Sequence, residues 1–161
     1  MSQTSTPAEL LIVAIQDLHD GEIAWGQRLP ELREAVPDSI ISFVPDELAR
    51  SAAQAFRLEA LAEILGAPAQ KMENIWLRAI LDDAKRDSET IVEGPLRAIA
   101  LVGAFRKGKQ AERVSYETAI GLARELGHDE AVAVLTLSRD EEAAADAELE
   151  RQLDELLQPI S

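Results

Sequence analysis

Five carboxylates stand out because each falls on or beside the apolar stripe of a helix: Glu22, Glu47, Glu112, Glu142 and Asp146. A buried, unpaired carboxylate costs several kcal/mol. Each must therefore be ion-paired, metal-bound, protonated or less buried than the pattern implies. Singly, each has a plain explanation. Glu47 suits the first turn of a helix, where the dipole favours an acid, and Glu142 and Asp146 belong to an acidic run that begins at Asp140. Taken together, acids from four helices aimed inward are the layout of di-iron and di-manganese carboxylate bundles. Two cations share the pattern: Arg50, on one face with Glu47 and Gln54, and Lys109, at the margin of the stripe that carries Glu112. Histidine is the missing part. Such centres use two Glu-x-x-His pairs, and the chain holds only His19 and His128. Glu125 and His128 have that spacing but straddle Gly127 at a helix end, while His19 reads as a surface or core-edge residue.

The elements that must position these residues are helices. The longest is expected between Gly94 and Gly127, with Pro95 in the first turn and Gly127 as a left-handed cap. A wheel drawn at about 100° per residue puts Leu101, Ala104, Gly108, Ser115, Ala119, Leu122 and Leu126 on its apolar stripe. The first helix starts at Thr6-Pro7-Ala8-Glu9, a capping box, and is expected to run to Ala35 with a kink or division at Pro30. Leu11, Ile15, Leu18, Trp25 and Leu29 share its inner face with Glu22. Residues 36–44 form a connection whose Ile40, Ile41 and Phe43 pack back on the bundle. Pro45-Asp46-Glu47 opens the second helix, which ends at Leu65-Gly66. A shorter helix is expected from Lys71 to Arg86. The last main helix is expected from Asp129 to Leu157, stopped by Pro159, with Leu135, Glu142, Asp146, Leu149 and Leu153 aligned. The reading is a single all-α domain over residues 1–161: a four-helix bundle with a short additional helix in the crossover between helices two and three.

Composition narrows the function. A net charge of −14 argues against nucleic acid and against anionic membrane surfaces. No apolar run reaches membrane-spanning length, the N-terminus lacks a basic leader, and the absence of cysteine fits a reducing cytosol. No hydrolase triad can be assembled, and Gly103 and Gly108 lie inside a helix, where glycine permits close packing rather than cradling phosphate.

Asp17-Leu18-His19-Asp20-Gly21-Glu22 followed by Leu29-Pro30 resembles the D-L-Y-x-A-E…L-P opening of the YciE/YciF family, bacterial ferritin-like proteins of unassigned biochemistry linked to stress responses. Gln54-x-x-Arg57-Leu58-Glu59 with Leu65-Gly66 is similar to that family's second helix. Glu112, Tyr116 and Leu126-Gly127 are similar to its third, and Glu141-Glu142-x-x-x-Asp146 to its fourth. The resemblance runs from about residue 8 to 157 and implies a ferritin-like bundle, a homodimer and a di-metal site. The chain departs from the pattern at the ligands. Where the family has H-L-x-E it reads Glu47-Leu48-Ala49-Arg50, and where the family has E-H-x-E it reads Lys109-Gln110-Ala111-Glu112. Both histidines are gone, and two carboxylates have become Arg50 and Lys109.

Carboxylates left without metal repel one another, and a guanidinium and an ammonium among them supply replacement charge. The expectation is a non-catalytic bundle without cofactor, in which Glu22, Glu47, Glu112, Glu142 and Asp146 are a vestigial or weak site and Arg50 and Lys109 are ion-pair replacements. The competing expectation is a protein that binds iron or manganese through the remaining carboxylates. Ile40, Ile41, Phe43, Trp76 and Val114 are the candidates to cover a dimer interface.

Overall fold

The structure is a computed structural model describing residues 3–158. Five helices form it: α1 (Pro7–Leu32), α2 (Phe43–Ile64), α3 (Ile75–Thr90), α4 (Pro95–Glu125) and α5 (Asp129–Leu157), with a 3-10 turn at Asp38–Ile40. Among the described residues there is no strand. The Thr6–Glu9 capping box opens α1: Glu9 N–H donates to the Thr6 hydroxyl, and the Glu9 carboxylate accepts from Thr6 N–H. Pro30 lies in the last turn of α1, so instead of kinking a longer helix it precedes a stop at Leu32, three residues before the expected Ala35.

The connection folds inward, with Ile40 and Phe43 buried and Ile41 39% exposed. α2 starts at Phe43 rather than Pro45. Pro45 fits there because a first helical turn leaves its N–H groups unpaired in any case. α3 begins at Ile75 rather than Lys71 and continues to Thr90. Its start is set by Asn74, whose side chain accepts from Leu77 N–H. Gly127, at φ +74°, ends α4 in the left-handed conformation expected of it. Pro159, the expected stop after α5, lies outside the described residues.

α1 pairs with α2 and α4 with α5; α1 also packs on α4, and α3 lies across both. The α2–α5 side is the least closely packed of the four sides of the bundle. Two apolar clusters make the core. One gathers Trp25, Leu29, Phe43, Leu77, Leu101, Phe105 and Leu149. The other gathers Leu11, Ile15, Leu18, Leu58, Leu61, Tyr116, Ile120 and Leu135. Trp25 meets Phe43 and Phe105 edge-on at 6.1 and 6.0 Å, and those two rings stack at 5.0 Å. On all four bundle helices the residues between the two clusters are polar and buried: Glu22, Glu47, Lys109, Glu112 and Glu142. The core is divided by a charged layer.

Candidate functional site

Each bundle helix contributes one glutamate to this layer: Glu22 from α1, Glu47 from α2, Glu112 from α4 and Glu142 from α5. None is more than 1% exposed. Lys109, one turn before Glu112, is buried to the same degree. Its Nζ lies 2.8 Å from Glu112 Oε2 and 2.7 Å from Glu142 Oε2, and it donates to Glu47 Oε1. One oxygen from each of these three glutamates lies within 4.8 Å of the others. The face of Trp25 closes the site from another side, its ring 4.6 Å from Nζ, a cation–π contact.

Neutral donors hold the carboxylates in place. Trp25 Nε1 donates to Glu112 Oε1 at 2.9 Å, the Tyr116 hydroxyl to Glu22 Oε1 at 2.9 Å, and the Ser51 hydroxyl to Glu47 Oε1 at 3.1 Å. Gly108 makes room for this. A Cβ there would lie 2.7 Å from Trp25 Cζ2. Glu22 Oε2, Glu112 Oε2 and both Glu142 oxygens are buried without a hydrogen bond, so the Lys109 contacts to Glu112 and Glu142 are ion pairs that lack hydrogen-bond geometry.

The electrostatics follow from burial. Desolvation is the largest influence on Glu22, Glu47 and Glu112 and pushes all three carboxyls above the ordinary range, Glu22 and Glu112 well above it. Glu142 adds to the rise and Lys109 opposes it. Burial alone would push the Lys109 ammonium down. The charges of Glu112, Glu142, Glu47 and Glu22 outweigh it and hold that group well above its ordinary value. Burial and the Glu22 charge raise the Tyr116 phenol as well.

Two of the expected site residues stand elsewhere. Arg50 reaches the layer only from its edge, donating to Glu47 Oε2 while its side chain stays 22% exposed. Asp146 is not in the cluster. It faces α4 from outside the layer and accepts from Arg106 Nε at 2.8 Å and Gln110 Nε2 at 2.6 Å. The sequence motifs resolve into interhelical clamps. Arg57 holds Glu141 through two bonds of 2.7 and 2.8 Å, joined by Gln54, so Glu141 faces α2 while Glu142 faces inward. Asp20 takes Arg78 and the Asn74 N–H, and Asp17 takes Trp76 Nε1 at 2.9 Å, fastening α3 to α1. His19 is buried against Glu59 at 2.9 Å, and His128 is exposed at the start of α5.

Trp25, Ser51 and Tyr116 are the site residues that the sequence reading passed over as ligand partners. A signal for them was present: Trp25 follows Glu22 by three, Ser51 follows Glu47 by four and Tyr116 follows Glu112 by four, the spacings that stack side chains on one helix face. Chemically, three carboxylate oxygens at this spacing form a cation site, and the cation among them is the Lys109 ammonium. A pair of metal ions does not suit this donor set. It offers no imidazole, and Nζ stands at its centre.

No curated protein sequence matches the chain. Among solved structures it is similar to the E. coli stress protein YciF, at 22% identity and a TM-score of 0.91, covering 96% of this chain and 99% of that one. It is also similar to YcfI from Rhodopseudomonas palustris, at 24% identity and a TM-score of 0.86, covering 91% and 94%. The all-α bundle expected from the sequence, with a short additional helix in the crossover, is therefore the fold, and it is shared with YciF. Residues 6–159 match the family described as a domain of unknown function, DUF892, and this protein belongs to that family.

Proposed function

We propose that the protein is a non-catalytic, stress-associated bundle protein in which internal ion pairs have taken over a metal centre. One observation carries the reading: Lys109 Nζ stands among Glu47, Glu112 and Glu142, where a bound cation would make the same contacts. A tethered ammonium cannot be exchanged for a redox ion or open a coordination position to oxygen. The site so filled contributes stability and shape instead of turnover. Arg50 adds charge from the edge through Glu47, and Glu22 completes the acidic shell through Tyr116. The stress association rests on the similarity to YciF.

The protein works in the cytoplasm as a homodimer. Support for the dimer comes from Val114, 58% exposed, and Ile41; Ile40 and Phe43, also expected at an interface, are core residues instead. No helix among the described residues is long and apolar enough to cross a membrane.

The second reading is a protein that binds iron or manganese. The 4.8 Å grouping of carboxylate oxygens favours it. Metal content of untagged protein, purified after growth with iron and manganese, separates the two. Substoichiometric metal and no steady ferrous oxidation are expected. Stoichiometric metal at purification, or sustained oxidation, would establish the metal-binding reading.

A further inference from the structure

The outward face of α2 is unusual for so acidic a chain. Pro45, Ala49, Ala52, Phe56, Ala60 and Glu63 follow at steps of three or four, so they form one row along the helix, and all are exposed. Phe56, at its centre, is 72% exposed, and Ile64, at its far end, 63%. From Ala49 to Ala60 the row carries no charge, although the chain's net charge is −14. An aromatic ring standing clear of a charge-free face marks a contact surface. The ends of the row say what covers it. Arg33 shares a shallow hollow with Pro45 and Leu48 at the start of α2. Glu63 lies about 27 Å further along the axis and on the same face as Pro45. Both charges are exposed, and neither side chain has a partner among the described residues. At the margins, Arg50, Arg57 and Glu59 are engaged within the chain by Glu47, Glu141 and His19. Asp46 stands about 100° round the helix from Pro45, off the row. A row with an unpaired cation at one end and an unpaired anion at the other is complementary to itself when reversed.

We propose that this face is the contact between two copies of the chain, their α2 helices antiparallel about a two-fold axis. The proposal rests on the homodimer reading above and gives that dimer its surface. Each Phe56 ring lies on Ala52 of the other copy, where the small side chain lets the helices approach closely. Each Arg33 meets Glu63 of the other copy, so two ion pairs set the register and oppose the repulsion between two acidic chains. Ile41 lines the Arg33 hollow and belongs to this surface, whereas Val114 is on α4 and does not.

Sedimentation equilibrium of charge-reversed variants tests this. Arg33→Glu and Glu63→Arg should each weaken the dimer about tenfold or more, because each sets two like-charge pairs across the contact. Mixed in equal amounts, the two variants should regain the parent's affinity as a heterodimer, since every cation again faces an anion. An ion pair closed within one chain could not produce that recovery. Phe56→Glu should leave a monomer with unchanged circular dichroism, the position being exposed. A parent that is monomeric at every concentration would overturn this proposal and the homodimer reading together. A dimer that survives Phe56→Glu and both charge reversals would keep the homodimer and overturn this face. Failure of the mixture to re-pair would overturn the antiparallel arrangement.

Discussion

The Lys109 ammonium lies 2.7 Å from the Glu142 carboxylate, and neither side chain reaches solvent. At the protein surface such a pair would contribute about 1 kcal/mol or less. Here both charges have lost their water, so the pair matters mainly through what its removal would leave behind.

Lys109→Met should therefore destabilise the protein by about 3–5 kcal/mol at neutral pH, because three glutamates then face one another with only Arg50, at the edge beside Glu47, as counter-charge. Adding Glu142→Gln should recover part of that loss, since the two sites share one network and their effects cannot simply add. Urea unfolding of the two single variants and the double variant measures the coupling. Additive losses would mean that Lys109 and Glu142 do not interact in solution.

The raised carboxyls set a pH dependence. Glu22, Glu47 and Glu112 each hold a proton more tightly folded than unfolded. Their contribution to stability is complete below the ordinary carboxyl value of 4.5 and is lost as pH rises through the raised folded values. Glu141 and Asp20, held below the ordinary range despite burial by Arg57 and Arg78, act in the opposite sense and lose their contribution as pH falls. Glu22→Gln keeps an acceptor for Tyr116 but removes one titrating group. Between pH 5 and 8 its stability should decline less steeply than the parent's, by up to about 1.4 kcal/mol per pH unit. Unfolding midpoints across that range give the slopes directly.

Gly108→Ala should destabilise the protein although alanine is the better helix former. The gain in propensity is about 1 kcal/mol. The new Cβ would stand 2.7 Å from Trp25 Cζ2 and 3.3 Å from Leu77 Cδ1, so the indole must move and its bond to Glu112 with it. Overpacking of this kind costs about 1–3 kcal/mol, and the lost indole–carboxylate bond adds to it. A net fall in thermal midpoint with a red-shifted tryptophan emission is the expected result.

The crossover helix offers a separate test. Asn74 caps α3, donates to the Asp17 carbonyl at 3.0 Å and gives its own N–H to Asp20 at 2.6 Å. Asn74→Ala removes the cap and the side-chain bond while leaving the backbone one. A loss of about 2 kcal/mol is expected. Hydrogen exchange should show it concentrated in α3, with α4 and α5 little changed.

Most of this site was legible because a buried glutamate interrupts an apolar stripe visibly. Lys109 was harder to place, for a geometric reason. The stripe drawn at about 3.6 residues per turn passes through Ser115, Leu122 and Leu126, which prove only partly buried. The buried seam of α4 instead steps through Val102, Phe105, Lys109, Glu112, Tyr116, Ala119 and Ala123. Those steps alternate three and four, a repeat of about 3.5 that belongs to helices packed along their length. The straight-wheel reading therefore left Lys109 at a margin when it is at the centre. Asp146 erred the other way: it lies next to Ala145 at the edge of the α5 seam, close enough for Arg106 to draw it outward. No pattern within α2 shows that Arg50 turns to the rim, because that depends on Glu47 being engaged already by Lys109 from α4.

The decisive experiment restores the family letters: Glu47→His, Arg50→Glu and Lys109→Glu in one chain. Without metal this variant loses its central cation and gains acids, so it should be less stable than the parent by more than Lys109→Met alone. Ferrous or manganous ion should then restore stability in proportion to the logarithm of free metal, about 1.4 kcal/mol for each tenfold increase once a single site is saturated. The geometry makes this a stringent test. Glu112 and Glu142 already present their oxygens to one point, so a new carboxylate at position 109 joins a set preorganised by Trp25 and the four helices. Parent protein titrated in parallel should show no such recovery, because its site holds a tethered ammonium that metal would have to displace. If the variant neither weakens without metal nor strengthens with it, the side chains do not converge in solution, and Lys109 is not a replacement for a metal ion.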